Sequence, residues 1–408
     1  MTWPIPAFAP IATPGLPRAR LWLALLVLFL AAGALATAWL WPEGRPASGL
    51  RFWLGIAGIP ALAWMAAFGV RLLVYGNASG KATLMTSIQE HSLAQWRAWG
   101  NQRLAVLDVV LMLPDTERVS EADLIHDMIV DAPRLEPSPG VPRQIQDLDK
   151  RDPFSVREKG LFILLLQEVR GSAYNVHAGV KGSVEIVGVS MTDHATTNAG
   201  PQMAELLDGA SLDPFHGEPP KEAVDASVIG LFAHWSTEAP KRCGLFMATQ
   251  LWGDGDEGTV SEGGVGMTLA TDITARAAGA APAAWLRRPM QTSLENLETD
   301  LETLLGTQGP VPPLARWWLC GLDTNATNRL LAHPLVRLKL EVLPENPNQA
   351  ISIDTFSGPC GGLCEWQALA AACIAAELQQ TAQFFAARNR NGIVMGRIDP
   401  PQPSAETP

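Results

Sequence analysis

Two uncharged apolar runs, residues 21–41 and 52–70, stand close together at the start of this chain and constrain its architecture more than anything that follows. As a helix, a run of about 20 residues rises about 30 Å, the thickness of a bilayer's hydrocarbon core. Arg18 and Arg20 precede the first run as they would in a signal peptide. A signal core, however, is only about 7–15 residues long and leads into a polar mature start, whereas here a second apolar run follows at once. The expectation is a transmembrane hairpin over residues 21–76. Trp22, Trp39, Trp41, Trp53 and Tyr75 sit near the run ends as interfacial aromatics do. Gly55, Gly58 and Pro60 are residues that closely packed membrane helices accept. Arg18, Arg20, Arg71 and Lys81 flank the hairpin, against Arg45 and Arg51 in its loop. That bias favours both ends inside, hence a bacterial inner-membrane protein with a cytoplasmic soluble part.

Beyond the hairpin the chain is acidic. Residues 1–81 hold six of the 30 basic and one of the 41 acidic residues, leaving 24 against 40 and a net charge of −16 for the remainder. Such a surface repels nucleic acid, which is excluded as a partner. The division expected is a tail over 1–20, the hairpin, a soluble α/β domain over 82–398 and a disordered Pro-rich tail over 399–408. Five cysteines, an odd number without a dense framework, read as reduced thiols. Seven scattered histidines include no His-x-x-x-His pair, so neither a metal site nor a cofactor is expected.

Apolar and β-branched runs predict strands at 104–113, 183–191, 243–249, 265–271, 316–322, 336–343, 350–354 and 392–398. Helical patterns cover 87–100, 154–170 with Gly171 as a stop, 293–305 capped by Ser293, and a long Ala-rich stretch at 363–388. Residues 77–81 read as a linker. Strands that alternate with helices and are apolar throughout imply a sheet covered on both faces.

The segment TFSGPCGGLCEW, residues 355–366, joins a strand to a helix and carries Cys360 and Cys364. A thiol at a helix N-terminus gains from the positive end of the dipole and becomes a better nucleophile. The same segment also reads as a tight glycine turn with the cysteines packed as small apolar residues, and Cys373, well inside the helix, reads as core. Residues 252–266 (WGDGDEGTVSEGGVG) form an acidic turn whose Asp254, Asp256, Glu257 and Glu262 offer a contact patch or simply solubility. An EF-hand loop begun at Asp254 would need a carboxylate where Val265 stands, so calcium is excluded. Asp323, and Asp193 beside His194, are further acid–base groups, and no G-x-S-x-G elbow occurs.

The order of these pieces resembles the thiolase-like condensing enzymes. GTVSEGGVGMTLAT, residues 258–271, resembles their G-x-V-x-G-E-G-A strand turn, and a helix, the strand WWLCGLDTNA and the turn GPCGGLCEW follow. The resemblance implies layered sheets with covering helices. In that superfamily a histidine loop follows each of the last two such strands. Here those places are residues 323–326 and 358–362, without histidine, and the strand at 183–191 leads into Thr192-Asp193-His194 without a cysteine. By the same resemblance the groups that activate an acyl thioester are missing, and the fold serves as a scaffold.

Membrane-tethered, catalytically silent domains of this sort resemble accessory proteins of type VI secretion, including lipase adaptors. The functional expectation is a non-catalytic adaptor that binds a secreted effector or a spike component, held in the membrane by residues 21–76. The alternative is a thiol-dependent acyl-transfer enzyme with Cys360 or Cys364 as nucleophile, assisted by Asp323 or His333.

Overall fold

The computed structural model describes residues 3–12, 14–42, 49–114, 121–131, 141–146, 148–180, 184–191, 196–199, 217–218, 225, 227–237, 243–254, 258–308, 316–333 and 350–401. By internal contacts the chain divides into Ile5–Trp96 and a larger unit of Met1–Pro4 with Arg97–Pro408. The predicted strand at 336–343 and the Asp193–His194 pair lie outside the described residues.

The smaller unit contains α1 (Ala19–Leu40) and most of α2 (Leu50–Gly100), two helices long and apolar enough to cross a membrane. Small residues let them approach. A Cβ on Gly33 would stand 2.0 Å from Pro60 Cγ, and one on Gly55 would stand 2.8 Å from Thr37 Oγ1. The Trp64 indole donates to the Trp22 carbonyl at 2.9 Å. α2 passes through a π-helical turn at Leu54–Gly58, where the Ile59 N–H reaches back to the Leu54 carbonyl. The next residue, Pro60, has no N–H to give, and the widened turn absorbs the break. The expected linker at 77–81 is helical instead. Gly76 and Gly80 each cost about 1 kcal/mol there, but no proline or cap interrupts the helix-forming residues on either side.

Among the described residues the larger unit is built on a twelve-stranded sheet of β1 (Arg103–Met112), β2 (Val184–Met191), β3 (Thr196–Asn198), β4 (Gly217–Glu218), β5 (Cys243–Gln250), β6 (Gly263–Thr271), β7 (Ala284–Arg287), β8 (Met290–Thr292), β9 (Arg316–Cys320), β10 (Ala350–Ser352), β11 (Gln383–Asn389) and β12 (Gly392–Asp399). Its main path runs β10-β9-β11-β12-β7-β1-β6-β5-β2-β3. The sheet repeats a pattern: β2 pairs parallel with β5, which turns back antiparallel into β6, and β9 pairs parallel with β11, which turns back antiparallel into β12. β1 and β7, themselves antiparallel, join the halves.

Helices cover both faces, as the uniformly apolar strands require. On one face lie α3 (Glu121–Asp131), α5 (Val228–Thr237) and α10 (Cys364–Gln379). On the other lie α4 (Phe154–Val180) and α6 (Asp272–Ala278). α7 (Leu297–Thr307), α8 (Thr324–Ala332) and the single turn α9 (Asp354–Ser357) fill the connections. α10 is buried around its whole circumference from Cys364 to Ala376. Its alanines make that possible, because a helix apolar on all sides is stable only inside a core.

Three expected boundaries are corrected. α4 continues through Gly171 to Val180, since one glycine in a long apolar helix costs too little to stop it. α7 begins at Leu297, with Ser293 Oγ accepting only the Asn296 N–H. The stretch 363–388 is not one helix: α10 ends where Gln380 turns left-handed at φ 52°, and Phe384 and Phe385 then enter the sheet beside Trp317 and Trp318. Aromatic β-formers beside an open strand edge outweighed alanine's helix preference.

Candidate functional site

Three of the five cysteines meet in the core. β9 is buried along its length and delivers Cys320 at its end. Gly321 then turns the chain with φ +67°, and a Cβ there would stand 2.5 Å from Cys364 Sγ, so only glycine lets β9 approach α10 this closely. β10 runs parallel to β9 with Ser352 opposite Leu319, which brings Asp354, at the start of α9, level with Gly321. The Asp354 carboxylate accepts the Gly321 N–H at 2.6 Å and the Cys360 N–H at 3.3 Å. It thereby ties the two backbones that carry Cys320 and Cys360. A single 3₁₀ turn, Gly361–Leu363, leads into Cys364 at the head of α10.

Cys320, Cys360 and Cys364 are 0%, 1% and 2% exposed. The Ser357 hydroxyl lies 3.0 Å from Cys360 Sγ. Burial pushes the Cys320 and Cys360 thiols up, and hydrogen bonds from those two thiols pull Cys364 down to about 5. When protonated, Cys364 donates to the Gly361 carbonyl at 2.9 Å. Beside it, burial raises Glu365 to about 8 although its carboxylate accepts the Val228 N–H at 3.3 Å. That contact joins the N-termini of α5 and α10.

Two amide donors on the turn before α10 are taken. Gln250, the last residue of β5, accepts the N–H groups of Gly362 at 2.8 Å and Leu363 at 3.2 Å. Its amino group donates to the carbonyls of Ser261 at 2.7 Å and Cys360 at 3.0 Å. A buried side chain with all four bonds made holds the turn in one conformation and leaves those two N–H groups no room for a ligand.

The other expected residues lie elsewhere. Asp323 accepts the Ala326 N–H at 2.7 Å and caps α8. His333, at the far end of α8, faces Glu302 at 3.7 Å. The structure therefore brings Cys360 and Cys364 together with Cys320 and Asp354, and pairs Asp323 and His333 with other partners. In the acidic turn, Asp256 and Glu257 lie outside the described residues. Asp254 is exposed, accepts the Phe154 N–H at the start of α4, and lines a polar cleft of about 440 Å³ with Lys150 and Arg151.

Glu262 corrects the reading of that turn. It is fully buried, ion-paired with Arg157, and accepts the N–H groups of Ile145 and Trp252 at 3.0 Å each. It is a stitch between β6 and the loops around it, because a buried carboxylate persists only where a cation and donors surround it. Gln250, Asp354 and Glu365 were not singled out from sequence. The one available signal was a polar residue closing an apolar strand immediately before a turn, which fits Gln250 and Asp354.

No protein-family model and no curated protein sequence matches this chain. Among solved structures, a chain described as "type II PKS acyl-carrier protein in complex with its ketosynthase bound to the hexaketide" (AntDE:AntF) is similar at 11% identity and a TM-score of 0.51, over 74% of this chain and 99% of that one. The ishigamide ketosynthase/chain length factor is similar at 12% identity and a TM-score of 0.48, over 74% and 99%. A ketosynthase from module 1 of the bacillaene synthase of Bacillus amyloliquefaciens is similar at 11% identity and a TM-score of 0.46, over 76% and 75%. With its layered α/β architecture, the chain has the thiolase-like fold of ketosynthases.

Proposed function

We propose that this chain is a membrane-anchored, non-condensing protein of the thiolase-like fold whose work is to bind another protein. The observation that carries the reading is Gln250. Acyl-transfer catalysis needs free N–H donors aimed at the developing oxyanion and a nucleophile that substrate can reach. Here the side chain of Gln250 fills the Gly362 and Leu363 donors on the turn before α10, and the neighbouring thiols are at most 2% exposed. The apolar lengths of α1 and α2 support the anchor. The finer reading, an adaptor for an effector or spike component of a type VI-like secretion system at the bacterial inner membrane, rests on the sequence resemblance and on the acidic character of residues 82–408.

The test is affinity purification of the full-length chain from cross-linked native membranes. One protein recovered in stoichiometric amount, and lost when the thiolase-like unit is deleted, is the expected result. Recovery of no specific protein, or turnover of acyl thioesters by the purified full-length chain, would overturn the proposal.

A further inference from the structure

The thiol cluster has the composition and spacing of a metal site. The ligand atoms of Cys320, Cys364 and Asp354 all lie within 4.8 Å of one another. Cys360, four residues before Cys364 and buried on the turn whose N–H Asp354 binds, offers a fourth donor once its sulfur swings off Ser357 Oγ at 3.0 Å and the Gly358 carbonyl at 3.3 Å. Around tetrahedral zinc, with Zn–S bonds of about 2.3 Å and Zn–O bonds of about 2.0–2.2 Å, neighbouring ligand atoms are about 3.5–3.8 Å apart. The Cys320, Cys364 and Asp354 donors need close by only about an ångström, and Cys360 joins them by a change of rotamer.

A second observation comes from Gln367, one turn into α10 and fully buried. Its carbonyl oxygen faces Cys320 Sγ at 3.8 Å, while its amino group has no partner. An orphaned buried amide N–H costs about 1–3 kcal/mol. Rotating the amide by half a turn, which leaves its shape unchanged, would aim the amino group at Cys320. A thiol gains little from that donor. A metal-bound thiolate, an acceptor only, would satisfy it, as outer donors commonly do for zinc ligands. Asp354 is likewise already oriented by the N–H groups of Gly321 and Cys360.

We infer that Cys320, Cys364 and Asp354, completed by Cys360, form a structural site for one zinc ion, with Gln367 as donor to the Cys320 sulfur. Three sulfur donors select a soft or borderline ion over magnesium or calcium, and the carboxylate favours zinc over copper(I). The three thiols are buried, Asp354 is half-buried with its carboxylate held by two backbone N–H groups, and four protein donors leave no position for a water, so the ion would pin β9, α9 and α10 together rather than activate one. Four anionic ligands exceed the charge of the ion, and the N-terminus of α10 with the two backbone amides on Asp354 offsets part of the excess. The inference goes beyond protein binding and stands or falls independently of it.

The experiment uses the full-length chain in detergent, purified without chelators or metal-affinity resin and exposed to zinc chloride. Plasma mass spectrometry is expected to find about one zinc per chain. Cobalt substitution should give tetrahedral ligand-field bands with thiolate-to-cobalt charge transfer. Cys320→Ser and Cys364→Ser should each lower bound zinc at least about tenfold, while Cys373→Ser, at a buried thiol outside the cluster, should leave it unchanged. If the serine variants do not fold, the wild-type chain decides: titration with a mercurial thiol reagent should release zinc in step with thiol modification. A folded wild-type chain that holds no zinc, shows no charge-transfer band with cobalt, or keeps its zinc in Cys320→Ser and Cys364→Ser overturns the inference.

Discussion

Gln250 Nε2 donates to the Cys360 carbonyl at 3.0 Å, fastening the end of β5 to the glycine turn that carries the thiols. With the other three bonds of the same amide, it holds the head of α10 in place. Gln250→Ala would remove four hydrogen bonds and leave the Gly362 N–H and the Ser261 carbonyl without their side-chain partner, while the Leu363 N–H keeps its 3.3 Å bond to the Cys360 carbonyl. The expected loss is about 3 kcal/mol or more, read as a fall of several degrees in the thermal midpoint. An unchanged midpoint would show that the turn is held by other contacts.

Arg157 and Glu262 form a buried ion pair on the opposite face from α10. Arg157→Met leaves an uncompensated carboxylate and should cost about 3–5 kcal/mol in denaturant unfolding. Arg157→Met combined with Glu262→Gln should recover a large part of that loss. Additive losses in the double variant would mean the two side chains are not coupled.

Burial pushes the Cys243 thiol up to about 12 and raises Cys373 as well. An unfolded thiol loses its proton near pH 8.5. Between about pH 8.5 and 12 the folded chain therefore binds more protons than the unfolded one, and stability falls as pH rises. Cys243→Ala removes one such group, so its stability should decline less steeply than wild type over the accessible part of that range. Equal slopes would count against the burial effect. In the native protein at pH 8, maleimide should leave Cys243 and Cys373 unmodified, as checked by peptide mass mapping.

Gly321 and Gly279 both adopt left-handed backbone, at φ +67° and +64°, yet their surroundings differ. An alanine at either pays a backbone cost of about 1–2 kcal/mol. At Gly279 the new methyl meets nothing within 4 Å, whereas at Gly321 it meets Cys364 Sγ at 2.5 Å. Gly321→Ala should therefore be the more damaging by several degrees in thermal midpoint, and equal midpoints would show that the cluster yields easily.

Gly33 and Gly69 give the same contrast within the apolar helices. A Cβ at Gly33 meets Pro60, and one at Gly69 meets nothing within 4 Å. Gly33→Val should separate α1 from α2 and lower the melting temperature in detergent, with Gly69→Val close to wild type. Similar behaviour of the two variants would argue against close packing at Gly33.

Much of the strand content was legible because it is written locally. Residues 104–113, 183–191, 243–249 and 265–271 are apolar, β-branched runs bounded by turns, and β1, β2, β5 and β6 fall on them. β11 was hidden, since AQFFAAR follows an alanine-rich helix with no glycine or proline between them. Its strand conformation comes from pairing with β9 and β12, which no local window contains. The site divided in the same way. The turn at Cys360 and Cys364 was visible from its glycines, but Cys320 and Asp354 join it only through the parallel β9–β10 pairing. Glu262 looked like one more solvated acid of its turn until Arg157, far away in sequence, was placed against it.

By itself the amino-acid order determined the two apolar helices, the acidic remainder and the alternation of strands with helices, because hydrophobic length, net charge and period are properties of neighbouring residues. Only the tertiary structure decided that two thiols and the Asp354 carboxylate converge beside Cys360 and that Gln250 closes the amides of the same turn. Those positions depend on which strands lie side by side, and strand order is set by burial over the whole sheet rather than by any single segment.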